Sequence, residues 1–356
     1  MNNSMKNNKI IELEMGGGGK KSEELIGNIR NILSVKGKWQ NTKDDGAVFE
    51  LFASRTRATN AGHTNFNSKS FSKLVFTTDA FIVDPLFFPG GDIGKIAICG
   101  TLNDLAVMGA KPIGISLSLV IEEGFTQADL EKIIQSINKI SKITGVPIVT
   151  GDTKVTEKGK IDKIEITISG VGLASKIISN DGAKVGDDII VSGDLGEHAV
   201  ALLAKRFNYQ TKIKSDCQPL IDEIQSVSKY LTSCKDPTRG GMAAVLNEMS
   251  QKSKTKFVLE EKTLSYKKET VAISELLGID VFSFPSEGRF VATVPKKYSK
   301  KVIKILQKFN KSAKIIGWVG RSASSVDKGG GVWLKTKIGS IKRIETPRGK
   351  LIPRIC

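Results

Sequence analysis

The chain has 356 residues, of which 54 are Lys or Arg and 37 are Asp or Glu, giving a formal charge of +17. At roughly 100–200 residues per domain this length predicts two domains with a core that needs no disulfide or metal staple. A content of 40% hydrophobic and 26% charged residues excludes a disordered, collagen-like or coiled-coil chain. Four cysteines without a CxxC pair, and only two histidines (His63 and His198), argue against a structural zinc. With no apolar stretch of about 18 residues and an Asn-rich amino terminus, a soluble cytoplasmic protein is expected.

In chain order, a short strand is predicted at Ile10 to Leu13, then the run Gly16, Gly17, Gly18, Gly19, then a helix through Leu25, Ile29, Ile32 and Leu33. Residues Ser54 to Lys73 are polar and aperiodic and read as an exposed insertion. Leu74 to Thr78 reads as a strand, Ile93 to Met108 as a helix closed by Gly109, and Ile113 to Val120 as a strand. Thr126 and Asp129 form a capping-box-like start to a helix carrying Leu130, Ile133, Ile134, Ile137 and Ile140, which Gly145 and Pro147 end.

Strands at Ile148 to Thr150 and Ile164 to Val171 complete a first unit. A second alternation starts near Ser175: strand Asp188 to Ser192, helix Ala199 to Ala204, a turn at Asp236 to Gly241 opening a helix, strand Arg289 to Val294 and helix Ser299 to Phe309. The predicted organisation is an N-terminal segment over 1–40, domains over 41–174 and 175–335, and a flexible basic tail over 336–356.

The +17 charge could steer an acidic partner. Its lysines are dispersed in separate pairs such as Lys20-Lys21 and Lys300-Lys301, with no base-reading motif, so a solvated surface is expected and nucleic acid is not.

Three acids share one predicted placement: Asp79 and Asp152 at strand ends and Asp45 in an Asp-Asp-Gly turn. Carboxylates gathered this way repel unless a hard cation neutralises them, and Mg²⁺ held by carboxylates plus substrate phosphates is the usual outcome. Asp104, on a helix, is a further candidate. The glycine run followed by Lys20 could receive phosphate on its free backbone N–H groups. It is not a Walker A loop, because Lys21 stands where a Ser or Thr is required. Thr238-Arg239-Gly240-Gly241 is a second phosphate candidate, with a helix N-terminus and a guanidinium fork. Cys99 reads as packed in the core, Cys217 and Cys234 as lying in polar loops without a role, and Cys356, on these grounds alone, as a stray surface thiol.

Several motifs together change that reading of Cys356. Thr77-Thr78-Asp79, the segment Asp84 to Lys95, Asn103-Asp104-Leu105-Ala106-Val107-Met108-Gly109, Glu122-Glu123-Gly124-Phe125, Thr150-Gly151-Asp152-Thr153-Lys154-Val155, Asp236-Pro237-Thr238-Arg239-Gly240-Gly241 and the end Pro353-Arg354-Ile355-Cys356 are similar to the carbamoyl dehydratases of hydrogenase maturation, the HypE family. Some of these motifs are shared with aminoimidazole ribonucleotide synthetase and selenophosphate synthetase; the Pro-Arg-Ile-Cys end is particular to the HypE family. The resemblance runs from about Gly16 to Cys356.

It implies an α+β, two-domain aminoimidazole-ribonucleotide-synthetase-like fold, with the first domain joining a dimer β-barrel and a mobile tail carrying the terminal thiol. The implied reaction is ATP-dependent dehydration of a carbamoyl group on Cys356 to a thiocyanate, the source of cyanide ligands for a nickel–iron site. A carbamoyltransferase would load the thiol and an iron-carrying maturation complex would accept the cyanide. The implied cofactors are ATP and Mg²⁺. The implied site has Asp45, Asp79, Asp104 and Asp236 at the metal, Gly16 to Gly19, Asn103, Thr150, Gly151, Asp152, Thr238 and Arg239 at the nucleotide, Lys154 as a contact to phosphate or to the thiocarboxamide, and Glu287 as the base.

The sequence departs from the family pattern in having Met15 where His is usual and Ser286 where Asn is common. Selenophosphate synthesis is the alternative within the superfamily, disfavoured because Gly16 to Lys21 carries no reactive cysteine. An inactive basic nucleic-acid or scaffold protein is the alternative outside it.

Overall fold

The computed structural model describes residues 11–12, 15, 19–33, 39–41, 44–51, 72–264, 266–321, 330–347, 352 and 354–356. Gly16, Gly17, Gly18, His63, Gly349, Pro353 and the expected insertion as far as Phe71 lie outside the described residues. Ile11 and Glu12 are in no strand, against the expectation of one there.

The first domain comprises α1 (Gly19–Ile32), β1 (Trp39–Gln40), β2 (Ala47–Glu50), β3 (Lys73–Phe81), β4 (Phe87–Phe88), β5 (Gly91–Asp92), α2 (Ile93–Val107), β6 (Lys111–Glu122), α3 (Gln127–Thr144), β7 (Ile148–Thr156) and β8 (Ile164–Ala174). Its main sheet has the order β1-β2-β3-β8-β6-β7. Along β8 every second residue is buried, the period-2 pattern of a strand with one face on a core. That face is covered by α2, which Asp92 caps through the Lys95 N–H at 3.0 Å. The next helix, α3, starts where its capping residue stands, with the Thr126 hydroxyl accepting from the Asp129 N–H at 3.1 Å. It ends at Gly145, whose φ of +69° favours a residue without a Cβ.

The second domain comprises β9 (Asp187–Val191), α4 (Glu197–Arg206), α5 (Ile221–Val227), β10 (Ser233–Lys235), α6 (Gly241–Ser253), β11 (Lys256–Glu260), α7 (Lys268–Leu277), β12 (Val291–Pro295), α8 (Lys296–Leu306), β13 (Lys314–Gly320), β14 (Gly331–Lys335) and β15 (Ile341–Ile344). Its sheet order is β10-β12-β9-β13-β11-β14-β15. The two halves share their apolar interior. Ala106 and Val107 at the end of α2 are buried with Leu220, Ile224 and Cys234 of the second domain. Ala199, Val200 and Leu203 of α4 are buried with the first domain's core, as are Ile352 and Ile355 near the carboxyl terminus.

Three expectations need correction. The tail boundary at 336 falls inside a β-hairpin, because β15 pairs with β14 and carries the sheet to Ile344. Asp79 and Asp152 lie within strands, since β3 runs to Phe81 and β7 to Thr156. Cys217 and Cys234 are buried rather than in polar loops. Among the described residues no helix is long and apolar enough to cross a membrane, and the four cysteines are unpaired.

Candidate active site

A cavity of about 370 Å³ opens between the domains, with walls from α1, the Asp44-Asp45-Gly46 turn, β3, α2, the turn after β10, and the carboxyl terminus. The connectivity explains why acids converge on it. Asp79 projects from the third strand of the first sheet and Asp104 from the helix packed beneath that sheet. Asp45 sits just before β2, which pairs with β3, and Asp236 directly follows β10 of the other domain. One oxygen from each of Asp45, Asp104 and Asp236 lies within 4.8 Å of the other two. Thr77 Oγ1 fixes the arrangement from β3, 2.8 Å from the Asp45 carbonyl and 3.0 Å from Asp104 Oδ2.

Crowding raises the proton affinity of these carboxyls. Burial, with Asp79, Asp236 and Asp45 as neighbours, pushes Asp104 well above the usual range. Asp236 is pushed up to about 7, by burial first and then by Asp45. Burial also raises Asp45, but the Lys235 ammonium sits directly on its Oδ1, and we take Asp45 as the ionised member of the set. Burial alone would lower Lys235; Asp45, Glu248 and Asp236 hold it charged instead. Asp45 Oδ2 is buried with no hydrogen-bond partner, an acceptor left open toward the other two acids. Oxygen-only donors, mutual repulsion and an orphaned carboxylate oxygen fit a hard divalent cation.

Beside the acids the cavity is lined by Thr238 and Arg239, from the turn that leads into α6. The N-terminus of α6 has no side-chain cap, and Gly240 and Gly241 both have positive φ (+81° and +59°). A Cβ on Gly241 would come within 2.7 Å of the Phe282 and Phe284 carbonyls, so the turn can be this tight only with glycine there. Arg239 Nη2 lies 4.0 Å from Asp79 Oδ1. The charge of Cys356 would hold Arg239 still more firmly protonated, with Asp79, Glu287 and Asp104 adding to it. Gly19 begins α1 at the rim with φ +74°, where a Cβ would meet the Pro347 carbonyl at 2.3 Å, so the start of α1 and the segment after β15 are in contact.

The carboxyl terminus enters this cavity. Cys356 lines it together with Glu287. Burial first, then Glu287, pushes that thiol well above the ordinary cysteine value. Glu287 is only 2% exposed, its Oε1 has no hydrogen-bond partner, and burial followed by repulsion from Asp236 raises it well above an ordinary glutamate. Its backbone is pinned from both sides: its N–H donates to Asp216 Oδ1 at 2.9 Å and its carbonyl accepts from Asn103 Nδ2 at 3.2 Å. Ser286, the departure from the family's Asn, is buried and accepts the Gly196 N–H at 2.8 Å.

The structure therefore gathers Asp45, Asp79, Asp104, Asp236, Thr238, Arg239, Glu287, Gly19 and Cys356. Gly16, Gly17 and Gly18 lie outside the described residues, and the other described candidates are not gathered there. Asn103 lines no part of the cavity, because its amide is used in bonds to Gln218, Leu220 and Glu287. Thr150, Gly151, Asp152 and Lys154 lie on β7, an exposed outer strand of the first sheet. Three strand spacings separate β7 from β3, about 14 Å, so within one chain Lys154 does not reach the carbamoyl position. Sequence reading missed Lys235, Thr77 and Glu248. Lys235 had one signal, its place directly before Asp236.

Family models describe residues 44–174 as the AIR synthase related protein N-terminal domain and 184–328 as the corresponding C-terminal domain. The carbamoyl dehydratase HypE of Cupriavidus necator is 36% identical over 97% of this chain and 95% of its own. A HypE–HypF complex contains a chain that superposes with a TM-score of 0.78 at 35% identity, covering 92% of this chain and 100% of that one. A HypE bound to ATP superposes at 0.76 and 28% identity, covering 98% and 100%. Near-full-length identity and the docked terminal cysteine agree: the chain belongs to the HypE carbamoyl dehydratase family of AIR synthase related proteins.

Proposed function

We propose that this protein dehydrates a carbamoyl group carried on Cys356 to a thiocyanate, using ATP and Mg²⁺ bound in the interdomain cavity, and so supplies cyanide for a nickel–iron hydrogenase centre. The observation that supports this most directly is that the terminal cysteine and a buried, underbonded glutamate line one cavity together with the acids, Thr238 and Arg239. Asp45, Asp104 and Asp236 would hold the cation, with Asp79 beside them. Bound ATP would supply the phosphoryl group that turns the carbamoyl oxygen, otherwise a poor leaving group, into a good one.

The protein's own residues do the rest. Arg239 and the first turn of α6 present positive charge and N–H donors to phosphate. Glu287, held by Asn103 and Asp216, faces the sulfur and accepts the amide protons whose loss completes the S–C≡N group. Burial of Ile355 and the cavity walls keep bulk water from the reacting carbon.

A carbamoyltransferase of the HypF kind would load the thiol, and an iron-carrying maturation complex would take the cyanide. We place the protein in the cytoplasm, where reducing conditions keep the thiol free. We also propose a homodimer built along the exposed β7 edge, closing the two sheets into a barrel and carrying Lys154, with Thr150, Gly151 and Asp152, toward the partner's cavity. The half-exposed apolar side chains of Ile148, Val149 and Val155 on that strand support it.

The test is direct. Carbamoylated protein incubated with Mg-ATP should lose the mass of one water from its C-terminal peptide. An unchanged mass with ATP bound would overturn the reading.

A further inference from the structure

Two side chains of one helix of the second domain, α4, grip the last residues of the chain by main-chain atoms. At the start of α4, His198 is completely buried, and its Nε2 lies 2.9 Å from the Ile355 carbonyl oxygen. At the last turn of the same helix, Arg206 Nη2 donates to the Arg354 carbonyl at 3.0 Å, while its Nε donates to the Asp84 carbonyl at 2.9 Å. The Asp84 N–H donates to the same Arg354 carbonyl at 3.1 Å. Arg354 itself has a φ of +49°, a backbone state that a residue with a Cβ adopts only when its surroundings hold it there. Its guanidinium bonds Asp162 and lies 3.4 Å from Asp84 Oδ2.

The partners of His198 settle its tautomer. A carbonyl only accepts, so Nε2 carries the hydrogen. Nδ1 lies 2.9 Å from Ser215 Oγ, and that oxygen already accepts the Cys217 N–H at 3.1 Å, which turns the Ser215 hydroxyl hydrogen toward the ring. Burial keeps the imidazole neutral, with its pKa lowered to about 4. The ring stands edge-on to Phe88, centroids 5.4 Å apart, so it cannot swing away without disturbing the first domain's core.

The two grips differ. Arg206 keeps the Asp84 carbonyl whether or not the tail is present. His198 Nε2 has the Ile355 carbonyl as its partner, and with the tail withdrawn this N–H gives up that bond. His198 therefore favours the docked tail, and its contact lies one peptide unit from the reacting residue.

We infer that His198 is a positioning residue for the dehydration step: its Nε2–H clasps the penultimate carbonyl and fixes the Cys356 sulfur against Glu287. This rests on Cys356 being the carbamoyl carrier, and its test has one arm that does not. In His198→Phe the aromatic contact to Phe88 is kept and both nitrogens are lost; in His198→Gln an amide N–H replaces Nε2–H. With ATP bound, the rate of Cys356 alkylation by iodoacetamide, read from the tail peptide's mass, should rise about tenfold in the Phe variant, the worth of one buried hydrogen bond, and stay within about threefold of wild type in the Gln variant.

Single-turnover dehydration of pre-carbamoylated protein should slow by a similar factor in the Phe variant, while ATP affinity and loading by the carbamoyltransferase hold. Wild-type alkylation and turnover in a folded Phe variant would overturn the inference. Should that variant not fold, His198→Leu, which also lacks the donor, takes its place and should expose Cys356 in the same direction; unchanged alkylation there overturns it equally. A wild-type chain that never dehydrates would refute the proposed function and leave the alkylation result to decide the clasp.

Discussion

Asn103, on the helix beneath the first sheet, donates its side-chain amide to the backbone carbonyl of Glu287 at 3.2 Å, so the first domain holds the main chain of the proposed base that the second domain supplies. The same side chain bonds the Gln218 carbonyl at 3.1 Å and accepts from the Leu220 N–H at 2.8 Å. Asn103→Ala should therefore cost about 3 kcal/mol of stability, three buried hydrogen bonds at about 1 kcal/mol each. Affinity for an ATP analogue should stay within about twofold. Calorimetry and equilibrium titration check this; lost affinity at unchanged melting temperature would restore the nucleotide-binding role expected from its motif.

Glu287→Gln preserves shape and the backbone bonds while removing the base. The carbamoylated tail should accumulate and dehydration fall by at least about a hundredfold. Mass spectrometry of the C-terminal peptide follows both species, and dehydration at the wild-type rate would remove Glu287 from the proton-transfer role.

Lys235 bridges Asp45 and Glu248, 3.4 Å from the latter, and is the ammonium nearest the acid triad. Lys235→Met should destabilise the protein by about 3 kcal/mol in chelator, because breaking a buried pair strands a charge. Added Mg²⁺ should recover much of that loss, and a thermal-shift titration measures both. A deficit that Mg²⁺ leaves untouched would argue against a cation site at the triad.

Glu223 is buried, its Oε1 3.3 Å from Gln218 Nε2, and burial raises it from 4.5 to about 7 against the pull of Arg289. In the folded protein it keeps a proton that the unfolded chain has lost, so its contribution is complete below about pH 4.5 and disappears as the pH rises through 7. The full span is up to about 3 kcal/mol. Glu223→Gln cannot ionise, so it should gain in melting temperature relative to wild type between pH 5 and pH 8. A parallel pair of melting curves over that window would contradict this.

If Lys154 acts in the partner's cavity, co-expressed Lys154→Ala and Glu287→Gln chains should complement each other. The mixed dimer has one site carrying both changes and one carrying neither, so about half of the wild-type activity per dimer returns. Absence of recovery in a purified heterodimer would place Lys154 outside the reaction or in its own chain's site.

Where local chemistry decided structure, the sequence was readable. Thr126 and Gly145 mark the ends of α3 because a capping hydroxyl and a left-handed glycine act within one turn of the chain. The resemblance likewise brought Asp45, Asp79, Asp104, Asp236, Glu287 and Cys356 to one cavity. Asn103 lies off the cavity because its partners are in the other domain, and an amide next to a cavity acid has the same sequence appearance as a ligand. Lys154 stands in the same motif as Asp152, yet strand order put that motif at the far edge of the sheet. His198 carried no sequence signal, since a histidine near a helix start is common and its partner carbonyl has no residue identity.

The acids around the cavity are divided between the two domains, with Asp45, Asp79 and Asp104 on one side and Asp236 and Glu287 on the other. Any change in their summed charge is thus also a force along the line joining the domains. Their repulsion is a load that the apolar interior shared by the two halves has to carry, and a bound cation lifts it. A site with the same residues on a single domain would bind the same ligands without tying their charge to the stability of the domain interface.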